Sequence, residues 1–585
     1  MYGRRRLLGG AAAVVLVAAV SANAMTKLSD SARGAESSAA PFNQAWAQVP
    51  RTTAGRKAKS ILVFGVEQDI TGFNTFLACC NQVSGGYMGA VEAQRGAFLQ
   101  NEKGVWIKDL VSQASATKTT LSYTIKSNAY WYWGGRKVPV TYKDFVYTLQ
   151  KLDDPASLVS DRLGYSNVDT TNVTHHGLKQ VTFRWKTTKC TQTFPCGPYA
   201  EWQSLFDALY PAAALAGQDF NKIWANCICG NDGKPVSDGP FYLSNYTQGQ
   251  GSTLKANPFW YGKKPGLAEV DFKIIAATNT EVQAMRTGDV DAIAPTFGSY
   301  LLPLKGQFGI VYSQIPGYYL EHLEFREGNG SSNPLLRAPW MRQAIALGID
   351  RQGIIGTVYG SLAGNAKPTN NMLYYSTQAE YRPDFAKWNY SQGKAIAILK
   401  KHCTGGPSAP SASNSAIWTC AGLPAQFRWS WTASNATRTT NEAIVKAELA
   451  QIGIKITDHP FAANIFFGPT GIPGGDFDIA EFAQVTTGDP GDWFEQWRCH
   501  GSANYTGYCS KKASALMTAG NAELNPAKRR ADFQAADKVM SAGVPVLPLY
   551  QQPDPLIYKS GILGMKNNPG SSGPFWSIED WKWKS

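Results

Sequence analysis

Histidines, carboxylates and nucleophilic side chains are the groups through which this chain could do chemistry. The six histidines lack the spacing of a metal site: His175, His176, His322, His402, His459 and His500. The sequence contains no His-Glu-x-x-His, no Gly-x-Ser-x-Gly and no phosphate-binding loop. With 43 acidic residues, a glycosidase-type carboxylate pair keeps a secreted hydrolase open as a remote alternative. We therefore expect no catalytic residue, no metal and no cofactor.

Ten cysteines form a second reactive group, and in an exported protein they indicate disulfides. Three local pairs lie in loop-like sequence: Cys190 with Cys196, Cys403 with Cys420, and Cys499 with Cys509. Adjacent or one-apart partners form strained rings, so we expect the Cys79-Cys80 group to pair with the Cys227-x-Cys229 group. The alternative is a metal site built from Cys227-x-Cys229 and His175-His176, although this spacing matches no zinc motif.

The N-terminus has the features of an export signal. Arg4-Arg5-Arg6 precedes an apolar run over residues 7–20, and Ala22-Asn23-Ala24 matches a small-x-small cleavage pattern. The run is shorter than the ~20 residues that a membrane-spanning helix needs. We predict cleavage after Ala24, with export by the Sec or the twin-arginine route. No cysteine precedes Cys79, which excludes a lipid anchor at the cleavage point, and residues 25–59 are predicted to be a flexible tether.

Length and composition favour a soluble protein of several domains. A chain of 585 residues exceeds a single core and predicts two to four domains. Its 44% hydrophobic and 17% charged residues are ordinary for a globular protein. The net charge of +13 falls to about +10 (13 − 3) once the three leader arginines are removed. No Lys/Arg run or nucleic-acid-binding motif is present, so we expect no nucleic-acid partner.

The stretch from Ser237 to Pro295 predicts the sheet of a mixed α/β lobe. Two β-type segments, Phe241–Leu243 and Ser252–Ala256, flank a glycine-bearing turn and indicate a hairpin. Val270–Ile275 alternates apolar and polar residues, as a strand with one buried face does. Thr280–Thr287 then predicts a helix that ends at Gly288, followed by a return strand. This order of elements is typical of a mixed sheet.

Further elements are predicted on both sides of this stretch. Ile61–Val66 is an aliphatic first strand, and Thr141 with Asp144 has capping-box spacing at the start of a helix. Ala425–Trp431, Asn441–Ile452 and Ile454–Thr457 read as strand, helix and strand, which predicts parallel pairing.

Together these segments resemble family 5 of the extracellular solute-binding proteins, the group with dipeptide-, oligopeptide- and nickel-binding members. The resemblance covers Ile61 to Tyr550. Its motifs are Gly-Pro-Phe-Tyr-Leu (239–243), Asn-Pro-Phe-Trp-Tyr-Gly (257–262), Gly-Asp-Val-Asp (288–291), Arg-Gln-Ala-Ile (342–345) with Asp350-Arg351, and Asp489-Pro490.

The resemblance implies an α/β fold of the two-lobed periplasmic-binding-protein type (class II, cluster C), with an extra small domain and mixed β-sheets flanked by helices. By analogy, residues 60–90, 200–300 and 545–585 would form a split central lobe. Residues 91–199 would form the small domain, and residues 301–544 the second lobe.

The function implied is capture of a peptide or peptide-like solute in the cleft between the lobes, followed by delivery to an ABC permease and ATPase complex. The protein would be an exported, extracytoplasmic monomer and would not be an enzyme. Two alternatives keep the same fold: a non-peptide solute (oligosaccharide, lipid-like molecule or metal chelate), or a role as an envelope regulator.

The resemblance also implies where ligand would bind. In peptide-binding relatives an aspartate three residues before Asp/Glu-Pro holds the α-amine of the peptide, and a buried cation needs such a partner. Here that position is Thr486, which argues against a free-amine peptide. The residues expected to bind ligand are Asn74, Tyr87, Trp429, Trp431, Phe482, Gln484, Thr486, Asp489 and Trp493.

Overall fold

The computed structural model describes residues 52–190 and 196–585. The predicted leader, its cleavage site after Ala24, and the predicted tether up to residue 51 lie outside these residues. Of the tether only residues 52–59 are described, and Thr53–Ala58 form a short helix there. Lys57–Ser585 pack as one unit. In the described ranges no helix is long and apolar enough to cross a membrane.

A ten-stranded sheet is the frame of this unit. In chain order its strands are β1 (Ile61–Val66), β2 (Phe241–Thr247), β3 (Gly251–Ala256), β4 (Glu269–Ile274), β5 (Ala292–Ile293), β6 (Ile310–Phe325), β7 (Gln426–Ser430), β8 (Lys455–Asp458), β9 (Ile479–Val485) and β10 (Val546–Lys559). Across the sheet the order is β2, β3, β4, β1, β5, β10, β6, β9, β7 and β8. The sheet thus has a first half from the chain before residue 300 and a second half from residues 426–485.

Two long antiparallel strands, β6 and β10, join these halves. β10 pairs with β5 on one edge and with β6 on the other, while β6 pairs onward with β9. The β6–β10 register shifts between Pro316 and Tyr319, so Gly317 and Tyr318 form a bulge midway along β6. The sheet contains both parallel pairs (β1–β4, β1–β5, β7–β8, β7–β9) and antiparallel pairs, so the prediction of a mixed sheet is confirmed.

Smaller sheets and helices surround this frame. A four-stranded sheet has the order Val111–Ala116, Thr120–Ile125, Gln180–Trp185 and Val168–His176. The shorter sheets are Val236–Ser237 with Tyr130–Trp133 and Arg136–Pro139; Cys403–Thr404 with Thr419–Cys420 and Leu423–Pro424; Phe98–Gln100 with Trp106–Lys108; and Ile562–Leu563 with Lys582–Trp583. The longer helices are α1 (Tyr142–Asp153), α2 (Thr278–Thr287), α3 (Pro339–Gly348), α4 (Arg351–Tyr359), α5 (Gln392–His402), α6 (Ala436–Gln451), α7 (Lys511–Ala522) and α8 (Pro526–Gly543).

Local sequence signals account for several of these elements. Thr141 and Asp144 form the predicted capping box at the start of α1, with the Asp144 carboxylate accepting from the Thr141 backbone N–H at 2.7 Å. Gly288 ends α2 in the left-handed conformation at φ 87°, which costs a residue without a Cβ little. The predicted hairpin is the β2–β3 pair. The strand-helix-strand unit is β7, α6 and β8, with β7 and β8 parallel.

Aromatic residues fill the core beneath the first half of the sheet. The ring of Phe64 on β1 lies 5.0 Å from that of Phe575, which in turn lies 5.3 Å from Trp581. All three side chains are fully buried. Tilted ring pairs at these distances stabilise the fold beyond the burial of their apolar surface. The C-terminal segment that contains Phe575 and Trp581 therefore packs onto the sheet.

Candidate functional site

A cavity of about 570 Å³ lies where β6 and β10 join the two halves of the sheet. Phe64 and Val66 of β1 line one side, and Phe482–Val485 of β9 line the other. Tyr319 of β6 and Gln552–Pro555 of β10 lie between them. Pockets that enclose small ligands have volumes of roughly 300–1,000 Å³, so this cavity can hold a molecule of that size.

Four of the residues predicted to bind ligand line this cavity: Tyr87, Phe482, Gln484 and Thr486. Tyr87 shares a hydrogen bond of 2.8 Å with the Tyr319 hydroxyl, which links the helical segment after β1 to β6. Phe482 packs edge-on against His322, with ring centres 4.5 Å apart. The Gln484 amide donates to the Val485 carbonyl at 3.3 Å. Three of these residues thus come from β9 and the loop that follows it, and Tyr87 lines the cavity from the helical segment after β1.

Thr486 does not offer a free hydroxyl to a ligand. Its hydroxyl shares a 2.9 Å hydrogen bond with Tyr375 and accepts from the Gly488 N–H at 3.0 Å. The side chain is neutral and its hydroxyl is engaged, so this position cannot supply the charge that the corresponding aspartate brings to peptide-binding relatives. A cationic ligand group needs another partner here.

The other predicted binding residues lie outside the cavity lining, and most of their polar atoms bond elsewhere. Asn74 is fully buried and its amide donates to the Phe220 carbonyl at 3.3 Å. The Trp429 indole donates to Glu481, and the Trp431 indole donates to Thr439 on α6. Trp493 is also buried, with its ring centre 6.3 Å from that of His322. These four residues support the structure around the cavity, and we leave them out of the proposed binding site.

Asp489 is likewise directed away from the cavity, because it forms a two-point ion pair with Arg529 on α8. Its oxygens accept from the two guanidinium NH2 groups at 2.7 and 2.6 Å, and one of them also accepts from the Gly491 N–H at 2.7 Å. Burial alone would raise the pKa of Asp489, but Arg529 outweighs it and holds that pKa below its ordinary value. The Asp489 carboxylate fixes the loop that follows β9.

Five carboxylates that were not identified from the sequence also line the cavity. They are Glu67, Asp161, Asp207, Asp492 and Asp554. They come from separate parts of the chain: Glu67 follows β1, Asp161 and Asp207 lie in loops, Asp492 lies in the short helix Pro490–Trp493, and Asp554 lies on β10. One sequence signal was available for the last of them. Pro553-Asp554-Pro555 interrupts a strand with two residues that lack a backbone N–H, and such positions mark an irregular or functional site in a sheet.

The surroundings of four of these acids raise their pKa toward neutrality, and burial raises the pKa of Asp207 to about 6. Burial raises the pKa of Asp554 to about 8. Burial, together with Asp489, raises the pKa of Asp492 to about 7. Burial, together with Glu495, raises the pKa of Asp161 to about 7, although this side chain is only half-buried. At neutral pH Asp554, Asp492 and Asp161 are therefore protonated for a substantial part of the time, and a cation close to them would favour loss of the proton.

The two arginines that line the cavity already have acidic partners. Arg95 reaches Asp109 at 3.4 Å and Glu579 at 3.1 Å. Arg438 on α6 reaches Glu321 on β6 at 2.8 Å, and both groups are buried. Neither guanidinium is left to neutralise the cavity carboxylates.

All five disulfides join cysteines that are close in sequence. The pairs are Cys190–Cys196, Cys403–Cys420, Cys499–Cys509, Cys79–Cys80 and Cys227–Cys229. The first three coincide with the local pairs read from the sequence. The expected pairing between the Cys79-Cys80 and Cys227-x-Cys229 groups is wrong. Turns in both segments bring each thiol next to its own neighbour, with Cα atoms 3.8 and 5.4 Å apart.

Comparison with known protein sequences agrees with the family resemblance found in the sequence analysis. Residues 106–506 match the model of the bacterial extracellular solute-binding proteins, family 5 middle. The chain is 26% identical over 461 residues to the oligopeptide-binding protein OppA of Mycobacterium tuberculosis, covering 77% of this chain and 72% of the relative. It is 23% identical over 386 residues to the peptide transport periplasmic protein SapA of Salmonella typhimurium, covering 64% and 63%.

Solved structures share the fold over most of the chain. The periplasmic EDTA-binding protein EppA superposes with a TM-score of 0.76 at 22% identity, covering 90% of this chain and 96% of its own. The oligopeptide-binding protein AppA of Bacillus subtilis, in complex with a nonapeptide, also gives 0.76 at 18% identity, covering 90% and 99%. The two-lobed α/β fold is thereby confirmed. Because the matched family region covers more than half of the sequence, this chain belongs to family 5 of the bacterial extracellular solute-binding proteins.

Proposed function

We propose that this chain is the extracytoplasmic solute-binding subunit of an ABC importer. It captures a peptide or peptide-like solute between its lobes and delivers it to a membrane permease that is driven by an ATPase. The protein acts by binding alone and not as an enzyme. Lobe closure brings residues 301–544 over the split lobe of residues 60–90, 200–300 and 545–585, with residues 91–199 as the small domain.

The observation that carries the peptide assignment is the edge of β9. β9 pairs with β6 along its whole length, from Ile479 to Val485. On its other edge it pairs with β7 only at Ile479 and Ala480, and the following residues, 482–487, line the cavity. An extended peptide can add to such an edge as a further strand, with backbone hydrogen bonds that do not depend on its sequence.

Calorimetry with matched peptides tests this function on the purified, secreted protein. Capped peptides of three to five alanines are compared with analogues that are N-methylated at the central residues. We expect N-methylation to weaken binding at least about 10-fold, because each methyl group removes a donor to the β9 edge. Equal binding by both series would contradict strand addition.

Native mass spectrometry of the same preparation identifies the solute that the protein retains from the cell. Bound ligand stabilises the closed protein by mass action, so tight ligands survive purification. A series of peptide masses supports the proposal. An oligosaccharide, lipid or metal-chelate mass would reassign the solute class. Retained envelope-protein fragments without transport would favour a regulatory role.

Export and assembly complete the proposal. Cleavage after Ala24 releases a mature chain that works as a monomer beside its permease. N-terminal sequencing of the secreted protein tests the cleavage site, and replacement of Arg5 and Arg6 by lysine separates the two export routes. Loss of export in this variant indicates the twin-arginine route, and unchanged export indicates the Sec route.

A further inference from the structure

Acidic side chains outnumber basic ones in the lining of the cavity, although the chain as a whole has a strongly positive formal charge. Five carboxylates line it, namely Glu67, Asp161, Asp207, Asp492 and Asp554. The basic residues of its described lining are Arg95 and Arg438, and both are ion-paired to acids that lie outside the lining. The chain as a whole carries a formal charge of +13. The acidic lining is thus a property of the cavity and not of the protein's average composition.

Asp554 and Glu67 each have one buried carboxylate oxygen without a hydrogen-bond partner, but the other oxygen of Glu67 accepts from the Thr296 backbone N–H and hydroxyl, so Asp554 is the better candidate to bind a ligand. It is 7% exposed, and its Oδ2 atom is buried without a hydrogen-bond partner. The Asn567 amide donates to the backbone carbonyl of Asp554 at 3.2 Å. A buried carboxylate oxygen with no donor is costly, and proteins keep such groups where a ligand or ion completes them.

The backbone holds Asp554 in place for this role. Pro553 and Pro555 fix the backbone on either side of it, so little conformational freedom is lost on binding. Across the strand pair it lies opposite Ile315, next to the bulge in β6. A Cβ on Gly317 would lie 2.9 Å from the Asp554 Cβ, so glycine is what allows this close approach of the two strands.

We infer that Asp554 binds the ammonium group of a cationic, peptide-like solute. The inference rests on the proposed function and names the charge of its ligand. Thr486 has its hydroxyl engaged and cannot anchor an amine, so the anchor lies on β10 instead of in the loop after β9. An ammonium ion beside the Asp554 carboxylate forms a charge-assisted hydrogen bond, which is roughly twice as strong as a neutral one.

Calorimetry at pH 7 with three tripeptide amides tests whether binding requires a positively charged amine on the ligand. Ala-Ala-Ala-amide carries an N-terminal amine, acetyl-Ala-Lys-Ala-amide carries a side-chain amine, and acetyl-Ala-Ala-Ala-amide carries neither. We expect at least one amine-bearing peptide to bind about 10- to 100-fold more tightly than the neutral one. The arm that shows the gain tells whether the terminal or the side-chain amine is recognised.

Two variants distinguish direct contact between Asp554 and the amine from a general effect of the protein's negative charges on binding. Asp554→Asn should remove the preference for the amine while binding the neutral peptide as before. Glu102→Gln removes an exposed carboxylate outside the cavity lining and should keep the preference. A melting temperature of Asp554→Asn that is equal to or above that of wild type excludes misfolding as the cause.

The pH dependence gives a second readout. Tyr87 and Tyr319 are the titratable groups that face Asp554, and burial raises the pKa of both, so they stay neutral below pH 8. Because only ionised Asp554 holds the cation, wild-type affinity for the amine peptide should rise about 10-fold or more from pH 6 to pH 8. Binding at pH 7 should release close to one proton, and Asp554→Asn should abolish both effects.

The results of these experiments test the amine site and the proposed peptide capture separately. Equal binding of all three peptides would overturn the charge requirement and leave peptide capture intact. Binding of the diamine putrescine without binding of any peptide would support the cation site and overturn peptide capture. An amine preference that survives in Asp554→Asn overturns the assignment of this residue.

Discussion

Breaking the ion pair between Asp489 and Arg529 should cost stability and leave ligand affinity unchanged. The pair has two short contacts, and its side chains are 9% and 15% exposed. It joins the loop after β9 to α8, two elements that are far apart in the chain. The perturbations are Arg529→Met, Asp489→Asn and the double variant.

The magnitude follows from what each variant leaves behind. Arg529→Met leaves the Asp489 carboxylate buried with the Gly491 N–H as its remaining donor, which should cost about 3–5 kcal/mol of the free energy of unfolding. Asp489→Asn leaves Arg529 with Glu201 at 3.3 Å, so its cost should be smaller, about 2–3 kcal/mol. The double variant should lose less than the sum, with a coupling of about 1–3 kcal/mol.

Urea unfolding of the four proteins, followed by tryptophan fluorescence, measures these differences. Arg530→Met is the matched control, because it removes the neighbouring arginine of α8, which is exposed. This control should change stability by less than about 0.5 kcal/mol. A coupling near zero, or a loss of ligand affinity at unchanged stability, would refute the reasoning and return Asp489 to the binding site.

The pH dependence of the pair has a definite sign. Arg529 holds the pKa of Asp489 below its ordinary value, so the stabilisation is present above the unfolded value of about 3.9. It is lost as pH falls through the folded pKa. The stability gap between wild type and Asp489→Asn should therefore be full at pH 7 and narrow below about pH 4.

Two further predictions concern the free energy of unfolding. Replacing Cys403 and Cys420 by serine opens a loop of sequence separation 17 and should cost about 3 kcal/mol in urea unfolding; a loss below about 1 kcal/mol would contradict it. Glu281 is buried with neither carboxylate oxygen hydrogen-bonded, and burial raises its pKa, so wild type loses stability as pH rises above about 4.3. Glu281→Met should therefore raise the melting temperature more at pH 8 than at pH 4, and an equal gain at both would refute this.

Elements with a local cause could be predicted from the sequence. The β2–β3 hairpin, the capping box of α1 and the Gly288 end of α2 each depend on residues within a few positions of one another. The parallel β7–β8 pair follows from a strand-helix-strand order that has one common handedness. Strand periodicity and capping chemistry act at this short range, which is why one sequence sufficed.

The lining of the cavity could not be predicted from the sequence, because it brings together residues that are distant along the chain and local patterns do not encode such contacts. Asp161, Asp492 and Asp554 meet there from positions tens to hundreds of residues apart. Asp489 was identified within its motif, but its partner Arg529 lies 40 positions later on another element. A strand pattern also does not tell which of its two faces lines the cavity, so Trp429 was expected at the ligand and lies in the core.

The position of β10 determines when this protein can fold. β10 is synthesised after every other strand of the large sheet, yet it lies between β5 and β6 and pairs with both. Until it arrives, β5 and the β6 edge that faces it remain open, and open strand edges promote aggregation. The contacts it makes are also distant in sequence, which slows folding. The nascent chain therefore depends on protection until residue 559 has emerged, and truncation before residue 546 would separate the two halves of the sheet.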